Sequence, residues 1–503
     1  MTDKFYEPED LSEIIDKLKS QGKKIGLSHG VFDLVHPGHI QHFIAAKKEV
    51  DYLIVSITSD SYVNKGPGRP LFAENIRIST LSALSAIDYV TISRDKTAEK
   101  IIENIKPNIY FKGSDYANSA DDPTGKISDE TQAVENFGGK IHFTDEITSS
   151  SSKLINNFFN SASAEVKSWV QSLKSKYSLA DIEHYLQRIE NLKVLVIGET
   201  IIDKYTKVEA LSKSSKDPIL AFHLLDSEEY AGGILAIANN CASWTKEVTA
   251  ISVIGNDDSR PNDLVKLLNQ NIELKLITSN RPTITKHRYV DIGTNTKLFE
   301  TYDFNPNPLP DKEVCQVIDA VSSLENYDVL LAADYGHGLF TNQLIEHLTE
   351  VSPYFCVNTQ SNAGNRGYNT ITKYSKLDFF SVNSGELKLE MRSQKLNYDL
   401  VVPELMSKLS AHQAVLTKGA EGLTVYEHLA SSDAPAIATK IVDKVGAGDS
   451  VFAISSLLSY VKAPVDIIGL VSSLVASHEV SQFGHRTSMS IGDIKKQVRS
   501  LMS

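Results

Sequence analysis

Cysteine is scarce. The 503 residues hold three, Cys241, Cys315 and Cys356, with no C-x-x-C pair. That spacing excludes a disulfide scaffold and a cysteine-based zinc site and fits a reducing compartment. No apolar run reaches the roughly 18–20 residues that a spanning helix needs. The opening stretch, MTDKFYEPEDLSEII, lacks the basic-then-apolar layout of a secretory signal. Positive charge is not in surplus either: 51 Lys and Arg against 63 Asp and Glu leave −12. Composition therefore offers no basic groove for nucleic acid. The G-x-x-x-x-G-K-[ST] loop of P-loop nucleotide binders is missing, as are solenoid-period repeats and low-complexity tracts. What is there is ordinary globular composition, 41% hydrophobic and 23% charged. The chain is about three times as long as a typical domain of roughly 150 residues. These features predict a cytoplasmic protein of two or three domains with no nucleic-acid or membrane partner.

Two series of strand and helix patterns run along the chain. Leu11, Ile14, Ile15 and Leu18 fall at helical spacing and predict a leading helix. Short apolar runs at 25–28, 52–57, 88–92, 108–111 and 140–143 follow, separated by helix-like stretches. That rhythm means a parallel sheet with both faces covered. A polar helical pattern through Trp169, Leu173 and Tyr177 then suggests a connector. A second α/β series starts with the apolar strand 193–198 and continues through 328–333, 355–358 and 414–417. An alternating segment from Thr283 to Tyr302, broken by a Gly293–Asn295 turn, reads as an inserted β-hairpin. The fold class expected is α/β: a domain at 1–158, a helical linker at 159–191, and a larger domain with a small β-lid at 192–503.

The strongest signal in the first half is His36-Pro37-Gly38-His39 after a strand and a turn at Gly30. Two histidines three apart at a helix start project from nearly the same face. Free N–H groups and the positive end of the helix dipole suit a phosphate there. Two imidazoles can then stabilise charge developing on a phosphoryl group. Taken alone, an H-x-x-H pair is more often a coincidence or half of a metal site. Here it is accompanied by Gly30, Phe32 and Asp33, by Asn64-Lys65-Gly66 with Arg69 and Pro70, by the segment from Phe111 to Tyr116, and by the run from Thr148 to Ser152. Residues 22–158 with these motifs resemble the HxGH nucleotidyltransferases, a cytidylyltransferase-like family with a Rossmann-like domain. The resemblance implies that His36 and His39 contact the nucleotide phosphates in the transition state. It gives nucleotide- and phosphate-binding roles to Gly30, Phe32, Asp33, Lys65, Arg69, Lys112, Ser149, Ser150 and Ser151. The nucleotide implied is ATP or CTP. A class I aminoacyl-tRNA synthetase fits less well, since a KMSKS-like segment is absent.

In the second half, Gly446-Ala447-Gly448-Asp449 precedes an apolar helix-like stretch. A glycine turn feeding a helix can cradle phosphate charge with its N–H groups. An Asp at that position can take the proton of an attacking hydroxyl. By itself this motif is weak. With Asp203 after the first strand, Gly232-Gly233, Asn383-x-x-Glu386 and Thr417-x-Gly419 in order, residues 192–500 resemble the ribokinase-like (PfkB) sugar kinases. The resemblance makes Asp449 the catalytic base. It places Gly446, Ala447 and Gly448 in an anion hole, with Asn383, Glu386, Thr417 and Gly419 on the nucleotide side. Asp203, Gly232 and Gly233 would contact sugar, and Glu386 would serve Mg²⁺ indirectly, with ATP as phosphoryl donor. The inserted hairpin resembles the family's lid, which implies a homodimer. Departures from the family pattern stand at Ala236 (for Asn), at Asn358 and Gln360 (for an Asp-Pro-Lys segment), and at Val445 (for Thr).

The pair of domains resembles the bifunctional heptose kinase/adenylyltransferases of lipopolysaccharide precursor synthesis, in reversed order. The expected activity is phosphorylation of a heptose-like sugar and its activation as an ADP- or CDP-linked sugar for surface polysaccharide. The alternatives are a polyol-phosphate cytidylyltransferase with a polyol kinase, and a non-catalytic regulator that binds sugar nucleotides.

Overall fold

The computed structural model describes residues 4–63, 69–95, 97–113, 126–144, 163–214, 216–256, 261–324, 326–428, 430–484 and 487–502. By its contacts the chain divides into two compact units, residues 1–162 with 492–503, and residues 163–491.

In the first unit, five strands form one sheet: β1 (Ile25–Gly30), β2 (Tyr52–Thr58), β3 (Tyr89–Ser93), β4 (Ile109–Gly113) and β5 (Lys140–Thr144). All pairings are parallel, in the order β3-β2-β1-β4-β5. Alternate residues of each strand point to opposite faces, so an apolar run supplies two cores at once. Leu53, Val55 and Ile57 pack on one face with Phe43 and Phe111. Ile25, Leu27 and Ile54 pack on the other with Leu11 and Ile15 of the leading helix Pro8–Ser20. The strand order reverses between β1 and β4. In open parallel sheets a ligand crevice opens at that point, beyond the carboxyl ends of the strands. The segment from Gly30 to His39 leaves β1 there.

The second unit begins with two helices, Ala164–Lys176 and Leu179–Ile189, each started by a serine whose hydroxyl caps it, Ser163 and Ser178. Its strands are β6 (Lys193–Lys213), β7 (Leu220–Gly233), β8 (Glu247–Gly255), β9 (Ile272–Ser279), β10 (Ile284–Asp291), β11 (Lys297–Asp303), β12 (Val329–Asp334), β13 (Phe355–Thr359), β14 (Phe379–Asn383), β15 (Gln413–Thr417), β16 (Leu423–Glu427) and β17 (Ala430–Ala434). The main sheet runs β9-β8-β6-β12-β13-β14-β15-β16-β17, parallel except for the last two antiparallel pairings. The helices Ile234–Ala242, Ala447–Tyr460 and Val465–Val480 are buried on nearly every side. They accordingly lack a polar stripe.

The 21-residue β6 belongs to two sheets. Its first residues pair with β8 and β12, whereas Thr200 onward pairs antiparallel with β7 and, from Ile201, parallel with β10. With β11 on the far side of β10, this makes a four-stranded lid. The hairpin expected at 283–302 is its β10–β11 half. Among the described residues no helix is long and apolar enough to cross a membrane.

Candidate active sites

In the first unit, Pro37 begins the helix Pro37–Lys48 and His36 caps it. The Gly38 N–H donates to Nδ1 of His36 at 3.1 Å, and the His36 N–H donates to Nδ1 of His39 at 3.4 Å. With both Nδ1 atoms accepting, each neutral ring carries its proton on Nε2. The two rings stack with centroids 4.0 Å apart. Phe32, at φ 48°, meets His39 edge-on at 5.3 Å. Gly30 lies against the Phe32 ring, which a Cβ would approach to 3.2 Å. Burial pulls His36 below the ordinary imidazole value.

Arg69 is the second feature. Its Nε donates to Asp33 Oδ2 at 2.6 Å, with both side chains almost wholly buried. Asp33 also accepts the Phe72 N–H at 3.0 Å. Both terminal nitrogens of Arg69 are buried without a hydrogen-bond partner. An orphaned guanidinium edge is costly unless a ligand completes it, and phosphate matches that edge. Asp33 thus acts through Arg69. Lys112 is held by Glu130 at 2.6 Å. Lys65, Ser149, Ser150 and Ser151 lie outside the described residues. Sequence reasoning missed His42, although it continues the three-residue spacing of His36 and His39. Its Nε2 meets Ser28 Oγ on β1 and its Nδ1 meets Thr144 Oγ1 on β5, each at 2.8 Å. Burial, then Lys112, pulls His42 down to about 4. It is a neutral brace across the switch point.

In the second unit, Gly446 takes the left-handed conformation (φ 87°) that opens the helix Ala447–Tyr460, with Gly448 and Asp449 in its first turn. A Cβ at Gly448 would meet nothing within 4 Å. Oδ1 of Asp449 accepts from the Tyr335 hydroxyl at 2.9 Å and from Gln360 Nε2 at 2.5 Å. Burial and Asp449 hold the Tyr335 phenol well above its ordinary value, so it remains a donor. Just ahead of the turn, Asp443 takes Lys297 from β11, the Tyr205 hydroxyl from β6 and the Val445 N–H.

Asp203, on β6, is paired with Arg288 of β10. Opposite it, a Cβ at Gly232 would collide with the Asp203 carboxylate, and Gly233 adopts φ 56°. Asn383 and Glu386 form a capping box, each side chain accepting the other's N–H at 2.8 Å. Glu386 also accepts the Ser361 N–H at 3.0 Å, and burial pushes its carboxyl up to about 7. Thr417 ends β15, and Gly419 follows at φ 61°. The asparagine absent at Ala236 is not replaced by its neighbours. Asn239 bonds Leu267 and Asn269, and Asn240 bonds Ser450. Asn358 bonds the Ser381 carbonyl at 2.8 Å, so Gln360 alone of that segment reaches Asp449.

No group of three or more potential metal-ligating side chains forms among the described residues. Both Glu386 oxygens already accept backbone N–H groups. This donor set fits Mg²⁺ carried mainly by nucleotide phosphates, with a carboxylate nearby, rather than an all-protein cage. Tyr335, Arg288 and the buried Glu199 were also missed by sequence reasoning. Glu199 accepts the N–H groups of Tyr335 and His337, and no local motif announces contacts across more than a hundred residues.

One centre gathers imidazoles with a pinned arginine and the other sets a carboxylate on a glycine turn, and both groupings suit phosphate chemistry. Residues 27–157 match the cytidylyltransferase-like family, and residues 191–491, well over half of the chain, match the pfkB family of carbohydrate kinases. The chain belongs to the pfkB carbohydrate kinase family, with a cytidylyltransferase-like domain ahead of the kinase. Among curated relatives, the bifunctional protein HldE of Paramagnetospirillum magneticum is 36% identical over 132 residues, 26% of each chain. HldE of Nitrobacter hamburgensis is 40% identical over 111 residues, 22% of this chain and 23% of that one. The chain thus spans about a quarter of the length of these relatives. In fold, it resembles Escherichia coli phosphofructokinase-2 in complex with potassium, with TM-score 0.51 and 17% identity over 62% of this chain and all of that one.

Proposed function

We propose that the chain phosphorylates a heptose-like sugar in the 192–503 domain and activates the sugar phosphate in the 1–158 domain. The product is an ADP- or CDP-linked sugar for surface polysaccharide, made in the cytoplasm. The observation that carries this reading is the coexistence of two different centres suited to phosphate in one chain. Asp449, oriented by Tyr335 and Gln360, takes the proton of the sugar hydroxyl as that oxygen attacks the γ-phosphorus of ATP. The N–H groups of the Gly446–Gly448 turn receive the developing charge, while Asn383, Thr417 and Gly419 line the nucleotide side. Asp203, Gly232 and Gly233 hold the sugar. Mg²⁺ on the nucleotide, near Glu386, supplies charge neutralisation.

In the first domain the sugar phosphate attacks the α-phosphorus of ATP or CTP and pyrophosphate leaves. His36 and His39 donate from Nε2 to the phosphoryl oxygens, and the free edge of Arg69 binds phosphate. Lys65, Lys112 and Ser149–Ser151 complete the phosphate site in this reading. A screen of sugars and phosphosugars with ATP and with CTP, read by mass spectrometry, tests the proposal. A sugar-dependent phosphosugar followed by a nucleotide sugar is expected. Turnover of polyols with CTP alone overturns the sugar assignment. The lid exposes Leu211, Ile219, Leu220, Leu224 and Phe299, an apolar face that supports a homodimer through the lid. Leu224→Arg should sediment as a monomer if that face is the interface; an unchanged dimer rules it out.

A further inference from the structure

Lys286 lies on β10 with 9% of its surface exposed. Its ammonium sits 5.6 Å from the Tyr302 ring centroid and 5.7 Å from that of Tyr335. Four other cations of the lid find carboxylates: Lys204 has Glu229, Lys207 has Asp226 and Glu228, Arg288 has Asp203 and Glu300, and Lys297 has Asp443, while Lys213 is exposed to water. Lys286 has no carboxylate within ion-pair distance among the described residues. Asp203, Asp449 and Glu300 attract it from further off, Arg288 repels it, and burial weakens its hold on its proton. Two aromatic faces recover only part of the cost of desolvating an ammonium. Such a charge is poised for an anion that arrives with the substrates.

The Tyr335 side chain fixes where that anion would be. Its ring carries Lys286 on one face while its hydroxyl donates to Asp449 Oδ1 at 2.9 Å. The ammonium and the base therefore flank one phenol. Gln360, which also donates to Asp449 Oδ1, is neutral and brings no charge to the site. We propose that Lys286 is a catalytic residue of the kinase site, its ammonium stabilising the phosphoryl group as it passes to the acceptor. The inference rests on the kinase reading above. In that step the bond from acceptor oxygen to γ-phosphorus forms and the bond to the β–γ bridging oxygen breaks. ADP leaves with the electron pair, the acceptor proton goes to Asp449, and Lys286 keeps its own protons.

The test uses the full chain with Lys286→Met and Lys286→Arg. With Mg²⁺, ATP and a turned-over sugar, Lys286→Met should lower kcat about 10²–10³-fold with the KM for ATP nearly unchanged. Lys286→Arg should recover most of the loss. Melting temperatures should hold or rise, because removing an unpaired buried charge relieves desolvation. A Met variant with wild-type kcat overturns the proposal, as does a loss confined to sugar KM. Affinity for ADP with and without aluminium fluoride, a mimic of the phosphoryl in flight, separates this from the kinase reading. Wild-type tightening with fluoride that Lys286→Met abolishes supports Lys286 even if no tested sugar is turned over. Equal tightening in both chains, or none in wild type, overturns it.

Discussion

In the proposed reading the two centres treat phosphate charge in opposite ways. In the first unit the groups gathered are imidazoles, stacked and oriented by backbone N–H groups, with one arginine pinned by a buried carboxylate. In the second, a carboxylate stands at the helix start and is oriented by neutral donors, while a cation waits over an aromatic ring. The difference follows the chemistry proposed for each. A phosphate ester that attacks a nucleotide needs no base, only stabilisation of spreading negative charge. A sugar hydroxyl has a proton to lose, so its site needs a base and must then offset the base's own charge.

The largest effects should come from removing the centre of each site in turn. Asp449→Asn should lower sugar-dependent ADP release about 10³-fold and spare pyrophosphate release from a supplied sugar phosphate. His39→Ala should cut pyrophosphate release about 10²-fold or more and spare ADP release. Loss of both activities in either variant breaks the two-site comparison. Next, Asp33→Asn leaves Arg69 buried without its carboxylate. It should cost about 3–5 kcal/mol in the stability of the first unit, read by calorimetry, and weaken nucleotide binding. A neutral substitution there would mean that Arg69 is not pinned.

A smaller contrast is the response to pH. His42 falls from an ordinary imidazole value to about 4 on folding. Between about 4 and 6.5 the unfolded chain binds the proton and the folded one does not, so first-unit stability rises with pH, by about 3 kcal/mol over the window. Glu386 is raised to about 7, and burial with Asp334 nearby raises Glu199. There the folded chain keeps the proton, and stability of the second unit falls as pH climbs from about 4.5 to 7. Urea melts across pH 4–8 should therefore change with opposite slopes from these groups. His42→Gln should reduce the first slope, which buried His29, pulled down to about 3, shares, and Glu199→Gln should reduce the second, which Glu386 shares; slopes untouched by either variant would remove the contrast.

The elements carrying this chemistry differ in how visible they were beforehand. Both parallel sheets were legible because strands buried on two faces are continuous apolar runs. His36, His39 and Asp449 were legible because a helix start packs its chemistry into four residues. The far half of β6 was not: from Asp203 to Lys213 polar and apolar residues mix, and pairing with β7 and β10 fixes it as a strand. The contact between Lys286 and Tyr335 was invisible for a related reason, since 49 residues and a change of sheet separate the lysine from the phenol beneath it. The Asn383–Glu386 motif was seen, but its hydrogen bonds are first those of a helix cap.

The sharing of β6 between two sheets also governs how the chain emerges from a ribosome. The five strands of the first sheet are all made once Thr144 has been added. β6, by contrast, must wait for β12: the Lys193 N–H finds its partner Asp328 135 residues later. At 5–20 residues per second that is roughly 7–27 s. For that interval the apolar run from Val194 to Gly198 has one edge unpaired, the kind of template on which nascent chains aggregate. Expression yield should accordingly respond more to the rate of translation across 193–334 than across the first 144 residues.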